Sequence, residues 1–255
     1  MFLCYTIIIP YHKKTIMGIK IKNLILDILF PKFCFNCQKE GNYLCQDCQE
    51  LLEISGFHRN YSTQNLNDLY FAVDYKNPLI KKLIKLFKYE PFVKELAPSL
   101  SYLIITHFQL MDNKPDFLHE ALDQKASHGA DFILIPVPLD KKRLRWRGFN
   151  QAEELSKELA KFLKIPLIQN SRAITKGKET IPQVKLTDEA RKENVRGAFL
   201  IKDRQLVKNR NILLVDDVYT SGSTMEEAAR VLRIAGAKEI IGIVVARAKP
   251  GQDKF

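Results

Sequence analysis

Two adjacent carboxylates and a short hydroxyl-rich loop are the residues of this chain best placed to do chemistry together. Asp216 and Asp217 follow the apolar run Ile212 to Val215, which is long enough for a buried parallel strand. The loop that comes next has small side chains around one glycine: Thr220, Ser221, Gly222, Ser223 and Thr224. A helical pattern with one apolar face begins at Met225. This order predicts a phosphate site formed by backbone N–H groups, a helix N-terminus and hydroxyls.

The acidic pair distinguishes this loop from commoner phosphate loops. A P-loop requires Gly-Lys before Ser or Thr, and a dinucleotide-binding turn requires three glycines; this stretch has neither pattern. Two carboxylates would repel a bare phosphate, but they suit the hydroxyls of a sugar or a magnesium ion beside them. A sugar phosphate with a free diol therefore fits both halves of the stretch. The alternative is a structural helix N-terminus preceded by a solvated acidic turn.

Four cysteines near the N-terminus have the spacing of a metal site. They form two Cys-x2-Cys pairs separated by seven residues: Cys34, Cys37, Cys45 and Cys48. Each pair can present two thiolates to one tetrahedral zinc ion, which predicts a small structural zinc module. The alternative is two disulfides in an exported protein. That alternative needs an export signal, and the apolar stretch at residues 2–9 is a poor one because its basic residues follow it.

A second candidate ligand site is a cluster of basic residues between Leu139 and Gly148. The cluster follows an apolar strand pattern at 132–138 and has five members: Lys141, Lys142, Arg143, Arg145 and Arg147. We expect a loop at the C-terminal end of a parallel strand, where α/β proteins bind ligands. Arginine side chains donate paired hydrogen bonds to phosphate oxygens, so pyrophosphate is the expected guest. The alternative is a solvated loop, or one that binds nucleic acid with help from Trp146 and Phe149.

The elements that must position these residues alternate between strand and helix patterns. Buried strands are predicted at 132–138, 198–201, 212–215 and 239–248, and helices at 152–163 and from residue 225. Parallel strands joined by right-handed crossovers form a doubly wound sheet. The predicted fold class is therefore α/β, preceded by a small zinc-binding module and a helical segment. The polar stretch 176–190 is expected to be a mobile flap that excludes water during transfer.

Four segments are predicted along the chain. They are an N-terminal tail at 1–16, a helix with the cysteine module at 17–55, a mainly helical connecting region at 56–129 and the main domain at 130–255. The connecting region contains a strand pattern at 69–75 and helical patterns at 78–89 and 93–110. Lysines line one face of the first of these helices, and we expect that face to be solvated. Its members are Lys81, Lys82, Lys85 and Lys88.

Composition agrees with a globular protein that binds an anionic ligand. The 255 residues are 46% apolar and carry a formal net charge of +11. Residues 1–130 hold 15 basic and 13 acidic residues, an excess of +2, whereas residues 131–255 hold 25 and 16, an excess of +9. A basic surface suits a polyanionic ligand and also attracts nucleic acid. No apolar run reaches the ~20 residues of a transmembrane helix.

Taken together, these motifs resemble a known family. Val215-Asp216-Asp217 and the hydroxyl loop resemble the 5-phosphoribosyl-1-pyrophosphate (PRPP) motif of type I phosphoribosyltransferases. The four cysteines, the Pro-Val-Pro at 136–138, the stretch 147–151 and the Gly-Ala-Phe at 197–199 occur in the order of the ComF/GntX family. The chain departs from the family pattern in its N-terminal tail and in Ser221, where many relatives have Thr.

The resemblance implies specific roles. It implies that Asp216 and Asp217 are catalytic residues that hold the ribose hydroxyls, and that the segment Thr220 to Thr224 holds the 5′-phosphate. It also implies PRPP with magnesium as ligand, zinc at the cysteines, and flap residues Gln183, Arg191 and Asn194. ComF proteins are associated with natural competence, so the resemblance implies a cytoplasmic protein at the inner face of the membrane, working with the DNA-import machinery.

Two functions remain open at this point. The first is a phosphoribosyltransferase that passes the ribose phosphate to an acceptor and releases pyrophosphate against the basic cluster. The second is a non-catalytic adaptor that binds single-stranded DNA and keeps a PRPP pocket as a sensor or relic. PRPP turnover favours the first, and PRPP binding without turnover, with salt-sensitive DNA binding, favours the second.

Overall fold

The computed structural model describes residues 31–118, 132–169, 171–177 and 195–248. The chain divides into two compact units, residues 1–48 and residues 49–255. The expected tail at 1–16 and helix at 17–30 lie outside the described residues. In the first unit, an antiparallel bridge joins Phe33 and Glu40, and helix α1 (Gln46–Glu50) begins near the boundary.

The second unit is built on a four-stranded parallel sheet. Its strands are β1 (Asp68–Asp74), β2 (Phe132–Pro136), β5 (Asn211–Tyr219) and β6 (Glu239–Arg247). They lie in the order β1-β6-β5-β2, and every neighbouring pair is parallel. The two central strands are almost wholly buried, as expected for a parallel sheet that is covered on both faces. The predicted parallel α/β sheet is therefore confirmed.

Helices cover both faces of this sheet. They are α2 (Pro78–Lys88), α3 (Ala97–Leu110, after a short 3-10 turn), α4 (Lys141–Arg147), α5 (Gln151–Leu163) and α6 (Ser223–Ile234). On one face, α3 packs against α5, and α5 packs on β2 and β5. On the other face, α6 packs on β5 and β6, where Gly242 leaves room for the Met225 side chain: a Cβ at Gly242 would lie only 2.7 Å from the Met225 sulfur.

Two short strands form a separate ribbon. β3 (Ile174–Lys176) and β4 (Phe199–Ile201) pair antiparallel, and β4 contacts α6. The strand expected at 198–201 therefore exists, but it lies outside the main parallel sheet. It pairs with the chain on the other side of the flap segment, and this pairing sets the two ends of that segment side by side.

The structure differs from the expected organisation at the connecting region. β1 is an edge strand of the main sheet and pairs with β6, the last strand of the chain. Residues 49–255 form one compact unit, so the boundary expected at residue 130 falls inside it. The physical reason is that β6 needs a hydrogen-bonding partner on each side, and a strand 165 or more residues earlier supplies one.

Candidate functional site

The acidic pair lies inside strand β5 and not beyond its end, as the sequence pattern suggested. β5 continues to Tyr219, and Asp216 is paired with Val244 of β6. Successive side chains of a strand point to opposite faces. Asp216 therefore shares the face of Leu214, which belongs to the core beneath α6. Asp217 leaves the strand on the opposite face, although the two carboxyl groups remain close enough to repel each other.

Asp217 forms an ion pair with a lysine from a distant part of the chain. Its Oδ1 lies 2.9 Å from Nζ of Lys88, the last residue of α2. The Asp217 side chain is only 4% exposed, and that of Lys88 is 27% exposed. Burial opposes the charge on Lys88, but Asp217 and Asp216 outweigh it and raise the pKa of the ammonium. The expectation that Lys88 is merely solvated is therefore wrong.

Asp216 has different surroundings, although it is the next residue. Its Oδ1 accepts a hydrogen bond of 2.9 Å from the backbone N–H of Asp217. Burial, together with repulsion from the Asp217 carboxylate, raises the pKa of Asp216 to about 7, and the nearby Lys88 opposes this shift. Its carboxyl group thus changes charge near neutral pH. A cation or a hydroxyl donor that reached this group would favour the charged form.

The hydroxyl loop ends in an open helix N-terminus. Gly222 has a left-handed backbone with φ of 76°, and a Cβ at this position would overlap the Tyr219 ring. Helix α6 begins at Ser223, so Ser223 and Thr224 belong to its first turn, whereas the sequence placed them in the loop. No side chain of a described residue caps this helix at Gly222. Its first backbone N–H groups can therefore serve an anion, beside the Ser221 and Ser223 hydroxyls, which lie 2.9 Å apart.

The basic cluster is a helix, which corrects the expected loop. Asp140 caps helix α4 by accepting a 2.9 Å hydrogen bond from the Arg143 N–H, and Gly148 ends it with φ of 81°. Residues four apart share a helix face, and Arg143 and Arg147 are the two members of the cluster that are half-buried. The other three members are exposed: Lys141, Lys142 and Arg145. The helix therefore turns two of the five charges inward.

Arg147 faces the acidic pair without a complete set of partners. Its Nε is buried and makes no hydrogen bond with any described residue. Burial lowers the pKa of the guanidinium, and Asp217 is the nearby charge that most strongly opposes this shift. Arg143, by contrast, has an ion pair with Asp140 in which Nε lies 3.3 Å from Oδ2. A buried donor without a partner is costly, so Arg147 is prepared for a ligand oxygen.

The residues after α4 position Lys88 and not a ligand. The Phe149 ring packs on Phe87 with centroids 5.5 Å apart, and Nε2 of Gln151 donates a 3.2 Å hydrogen bond to the Phe87 carbonyl. Asn150 caps α5 and donates a 3.0 Å bond to the Val137 carbonyl. These contacts fix the end of α2 beside β5. Because Phe149 is buried, its expected role in stacking on nucleic-acid bases is corrected.

Trp146 is the aromatic residue of α4 that remains at the surface. Its side chain is 53% exposed, and its ring meets the Phe92 ring edge-on with centroids 4.7 Å apart. Lys141 and Arg145 are exposed on the same helix. This part of the surface retains the aromatic and basic character that the sequence suggested for it.

Sequence reasoning missed two residues, Lys88 and Lys176. Lys88 falls in a helix with four lysines, and nothing in that pattern marks the fourth lysine as different. Lys176 is the last residue of β3 and is only 5% exposed, although its sequence neighbours suggested a solvated flap. A signal was present for Lys176, because the alternation in Ile174-Thr175-Lys176 puts Lys176 on the same strand face as the buried Ile174.

The remaining expected flap residues cannot be compared with the structure. Gln183, Arg191 and Asn194 lie outside the described residues. The described end of this segment is held to α6, because the Gly197 N–H donates a 2.8 Å hydrogen bond to Glu227. Arg230 in turn donates two hydrogen bonds to the Glu227 carboxylate, at 2.7 and 2.8 Å.

The four expected metal ligands converge in the first unit. The Sγ atoms of Cys34, Cys37, Cys45 and Cys48 all lie within 4.8 Å of one another, and none of the four is in a disulfide. Asn36 donates a 3.3 Å hydrogen bond to Cys48 Sγ. Four thiols at such distances are compatible with one tetrahedral zinc ion.

Within the described part of the chain, no helix is long and apolar enough to cross a membrane.

Comparison with known proteins adds family evidence to this geometry. A family model for the phosphoribosyl transferase domain matches residues 146–254. The chain is 30% identical over 216 residues to Competence protein F of Haemophilus influenzae, which covers 83% of this chain and 82% of that protein. It is 38% identical over 102 residues to Competence protein ComFC of Bacillus subtilis, covering 40% of this chain and 38% of that protein.

A further relative has a different name. The chain is 36% identical over 107 residues to the DNA utilization protein YhgH of Escherichia coli K12, which covers 42% of this chain and 45% of that protein. The parallel sheet, the phosphoribosyl transferase match and the cysteine cluster ahead of both confirm the expected fold, a type I phosphoribosyltransferase-type domain preceded by a cysteine module. With the long match to Competence protein F, they show that this chain belongs to the ComF family.

Proposed function

We propose that this protein binds PRPP with Mg²⁺ at the C-terminal edge of β5 and transfers its phosphoribosyl group to an acceptor. One observation carries the proposal: Asp216 and Asp217 are soon followed by a left-handed glycine, Gly222, and by a helix N-terminus that no described side chain caps. The site also faces Arg147, whose buried Nε makes no hydrogen bond with a described residue.

Each part of the ligand has a counterpart in the site. The N-terminus of α6 and the hydroxyls of Thr220 to Thr224 suit the 5′-phosphate. The oxygens of Asp216 and Asp217 suit the ribose hydroxyls, and carboxylate oxygen is also the ligand type that Mg²⁺ prefers. The two inward-facing arginines of α4, Arg143 and Arg147, suit the pyrophosphate. Bound Mg²⁺ would neutralise part of the pyrophosphate charge.

The proposed reaction is a substitution at C1 of the ribose. The bond from C1 to the pyrophosphate oxygen breaks, and pyrophosphate leaves with the electron pair. The acceptor forms the new bond to C1 and gives up its proton. The transition state has the character of an oxocarbenium ion, so the protein contributes by positioning the reactants and stabilising charge. The nearby carboxylates Asp216 and Asp217 are suited to balance the positive charge on the ring.

Calorimetric titration with PRPP and Mg²⁺ tests the binding step. The native protein should bind, and Asp216→Asn with Asp217→Asn should abolish the heat of binding while circular dichroism shows a folded chain. Asp112→Asn is the matched control, because Asp112 is exposed in the same unit. Equal PRPP affinity in the folded double variant would exclude this site. Release of pyrophosphate, assayed with nucleobases and with nucleic acids as acceptors, tests the transfer step.

We also propose that the four cysteines hold one structural zinc ion. The supporting observation is the convergence of four free thiols within 4.8 Å. Metal analysis should give about one zinc per chain. Cys45→Ser should lower the zinc content and speed proteolysis around residues 34–48, because so small a module depends on its metal to fold. Full retention of zinc by that variant would count against the site.

The relatives suggest a biological setting. Competence protein F and the DNA utilization protein YhgH are named for DNA uptake and use. We propose that this chain has a related role in natural competence, in the cytoplasm at the inner face of the membrane, with PRPP, single-stranded DNA and the DNA-import machinery as partners. Deletion of its gene should lower transformation frequency, and a gene encoding the two asparagines at 216 and 217 should fail to restore it.

A further inference from the structure

Lys176 is a buried cation next to the site that has no partner for its charge among the described residues. It ends β3 opposite Phe199 of β4, and its side chain is 5% exposed. Its ammonium lies 5.5 Å from the centroid of the Phe199 ring, a favourable but weak contact. No hydrogen bond or ion pair joins the ammonium to another residue in the described ranges. Buried lysines without such partners are rare, which calls for an explanation.

The charges near Lys176 belong to the phosphoribosyl site. They are Arg143, Asp140 and Asp216, and burial together with repulsion from Arg143 lowers the pKa of Lys176 to about 8. Asp140 is already engaged, since it caps α4 and forms an ion pair with Arg143. Among the described carboxylates near Lys176, Asp216 is therefore the one that is not in an ion pair with another cation.

Among the described residues, the charged groups around the acidic pair include more cations than anions. Lys88 pairs with Asp217, and Arg143 pairs with Asp140. Arg147 and Lys176 then have no ion pair among the described residues, and Asp216 is a carboxylate near both of them. These two cations come from different elements, α4 and β3, and Nε of Arg147 also lacks a partner among the described residues. Such an arrangement favours the binding of an anion between them.

We propose that Lys176 contacts the departing pyrophosphate group of the sugar phosphate, together with the inward-facing arginines of α4. The proposal rests on the proposed function and adds a residue that does not belong to the basic cluster of α4. An ammonium fixed beside the leaving group opposes the negative charge that develops as the bond to C1 breaks, and it needs no reorganisation to do so. Pyrophosphate binding would also supply the countercharge that the buried ammonium lacks.

The test compares three ligands by calorimetric titration: PRPP with Mg²⁺, pyrophosphate with Mg²⁺, and ribose 5-phosphate. Lys176→Met should weaken the binding of the first two by about tenfold to a hundredfold, as expected for the loss of a charged hydrogen bond. It should leave the affinity for ribose 5-phosphate within about twofold, because that ligand lacks the leaving group. Lys202→Met is the matched control, because Lys202 is exposed just beyond β4.

The outcomes separate this inference from the proposed function. If native protein binds PRPP and a folded Lys176→Met variant binds PRPP and pyrophosphate as tightly, the role of Lys176 is refuted and the proposed function stands. An equal loss for all three ligands would also refute it, because the effect would then not come from the pyrophosphate. If native protein binds none of the three ligands, both the proposed function and the inference fail. Lys176→Arg, which keeps the charge, should retain more pyrophosphate affinity than Lys176→Met.

Discussion

Asp216 and Asp217 are neighbours in strand β5, but their carboxyl groups have different surroundings. On one face, Asp217 is buried and already paired with Lys88. On the other face, Asp216 lies near Lys176, which forms no ion pair with a described residue. Burial and repulsion from Asp217 raise the pKa of Asp216 to about 7. Asp217 thus has a cation partner before any ligand binds, whereas Asp216 forms no ion pair with a described residue. The comparison indicates that the charge of Asp217 is stabilised within the fold and that the charge of Asp216 depends more on what binds.

The largest expected effect comes from removing the ion pair between Lys88 and Asp217. Lys88→Met leaves the buried Asp217 carboxylate without its cation, and we expect this to lower the free energy of unfolding by about 2–4 kcal/mol. Urea unfolding measures the change. Lys85→Met is the control, because Lys85 is exposed one turn earlier on α2. Adding Asp217→Asn to Lys88→Met should recover part of the loss, and strict additivity of the two changes would show that the pair is not coupled.

The next effect concerns Asp216, and it is an increase in stability where the previous one is a decrease. The pKa of Asp216 in the folded chain is raised to about 7 from 3.8, so its charged form is destabilised in the fold. Stability should fall through this group as pH rises from about 4 to 7, because the folded state then holds more protons than the unfolded state. Asp216→Asn should therefore stabilise the protein at pH 8 by about 1–3 kcal/mol.

Melting curves of native protein and the Asp216→Asn variant at pH 4 and pH 8 check this prediction. The gain should be present at pH 8 and small at pH 4, where native Asp216 is protonated in the fold. Asp217→Asn should instead lower the melting temperature at pH 8, because Lys88 loses its partner. The same sign for both variants at pH 8 would show that the two faces do not differ as described.

A smaller effect on stability is expected at Lys176, which lies near Asp216. Its pKa is lowered to about 8 from 10.5 by burial and by Arg143, with Asp140 and Asp216 opposing. Native stability should therefore rise with pH between about 8 and 10.5, where the unfolded state binds more protons. Lys176→Met should raise the melting temperature by a few degrees at pH 7, and this gain should shrink by pH 10. A gain that does not change with pH would mean that the charge is not its cause.

The smallest effect is expected at the outer side of α4. Lys141→Ala and Arg145→Ala remove exposed charges, and each should change PRPP affinity by less than about twofold, since salt and water screen surface charges. Arg147→Ala should weaken PRPP binding by about tenfold, because its guanidinium is half-buried beside the acidic pair. Calorimetric titration at one salt concentration measures all three. Equal losses of PRPP affinity would mean that the inward-facing and exposed charges of α4 do not differ in their contribution to binding.

Local patterns in the sequence were enough to predict several parts of this protein. The apolar run at 212–215 and the later one at 239–248 indicate buried parallel strands whatever packs on them. The spacing of the four cysteines indicates a metal site for the same reason, since residues a few positions apart stay close in space. The acidic pair with its glycine loop also lies in one continuous stretch, so its order could be read directly.

Other features depend on contacts between distant segments. The basic stretch became a helix because Asp140 and Gly148 cap it, and its periodicity then turned Arg143 and Arg147 inward while Trp146 stayed exposed. The cap residues Asp140 and Gly148 were present in the sequence, although a loop was predicted there. The local pattern could not tell which arginines face the acidic pair, because that depends on where α4 packs.

The sequence by itself determined the strand–loop–helix around Asp216 and Asp217 and the cysteine module, because each is encoded by residues close together in the chain. The tertiary structure alone decided that Lys88 meets Asp217 and that Lys176 lies near Asp216. Those cations are more than 120 and about 40 residues away along the chain, respectively. They arrive only because β1 pairs with β6 and β3 pairs with β4. Strand pairing brings together segments that are far apart in the chain. Local sequence patterns contain no information on that pairing, so they do not predict which charged residues become neighbours.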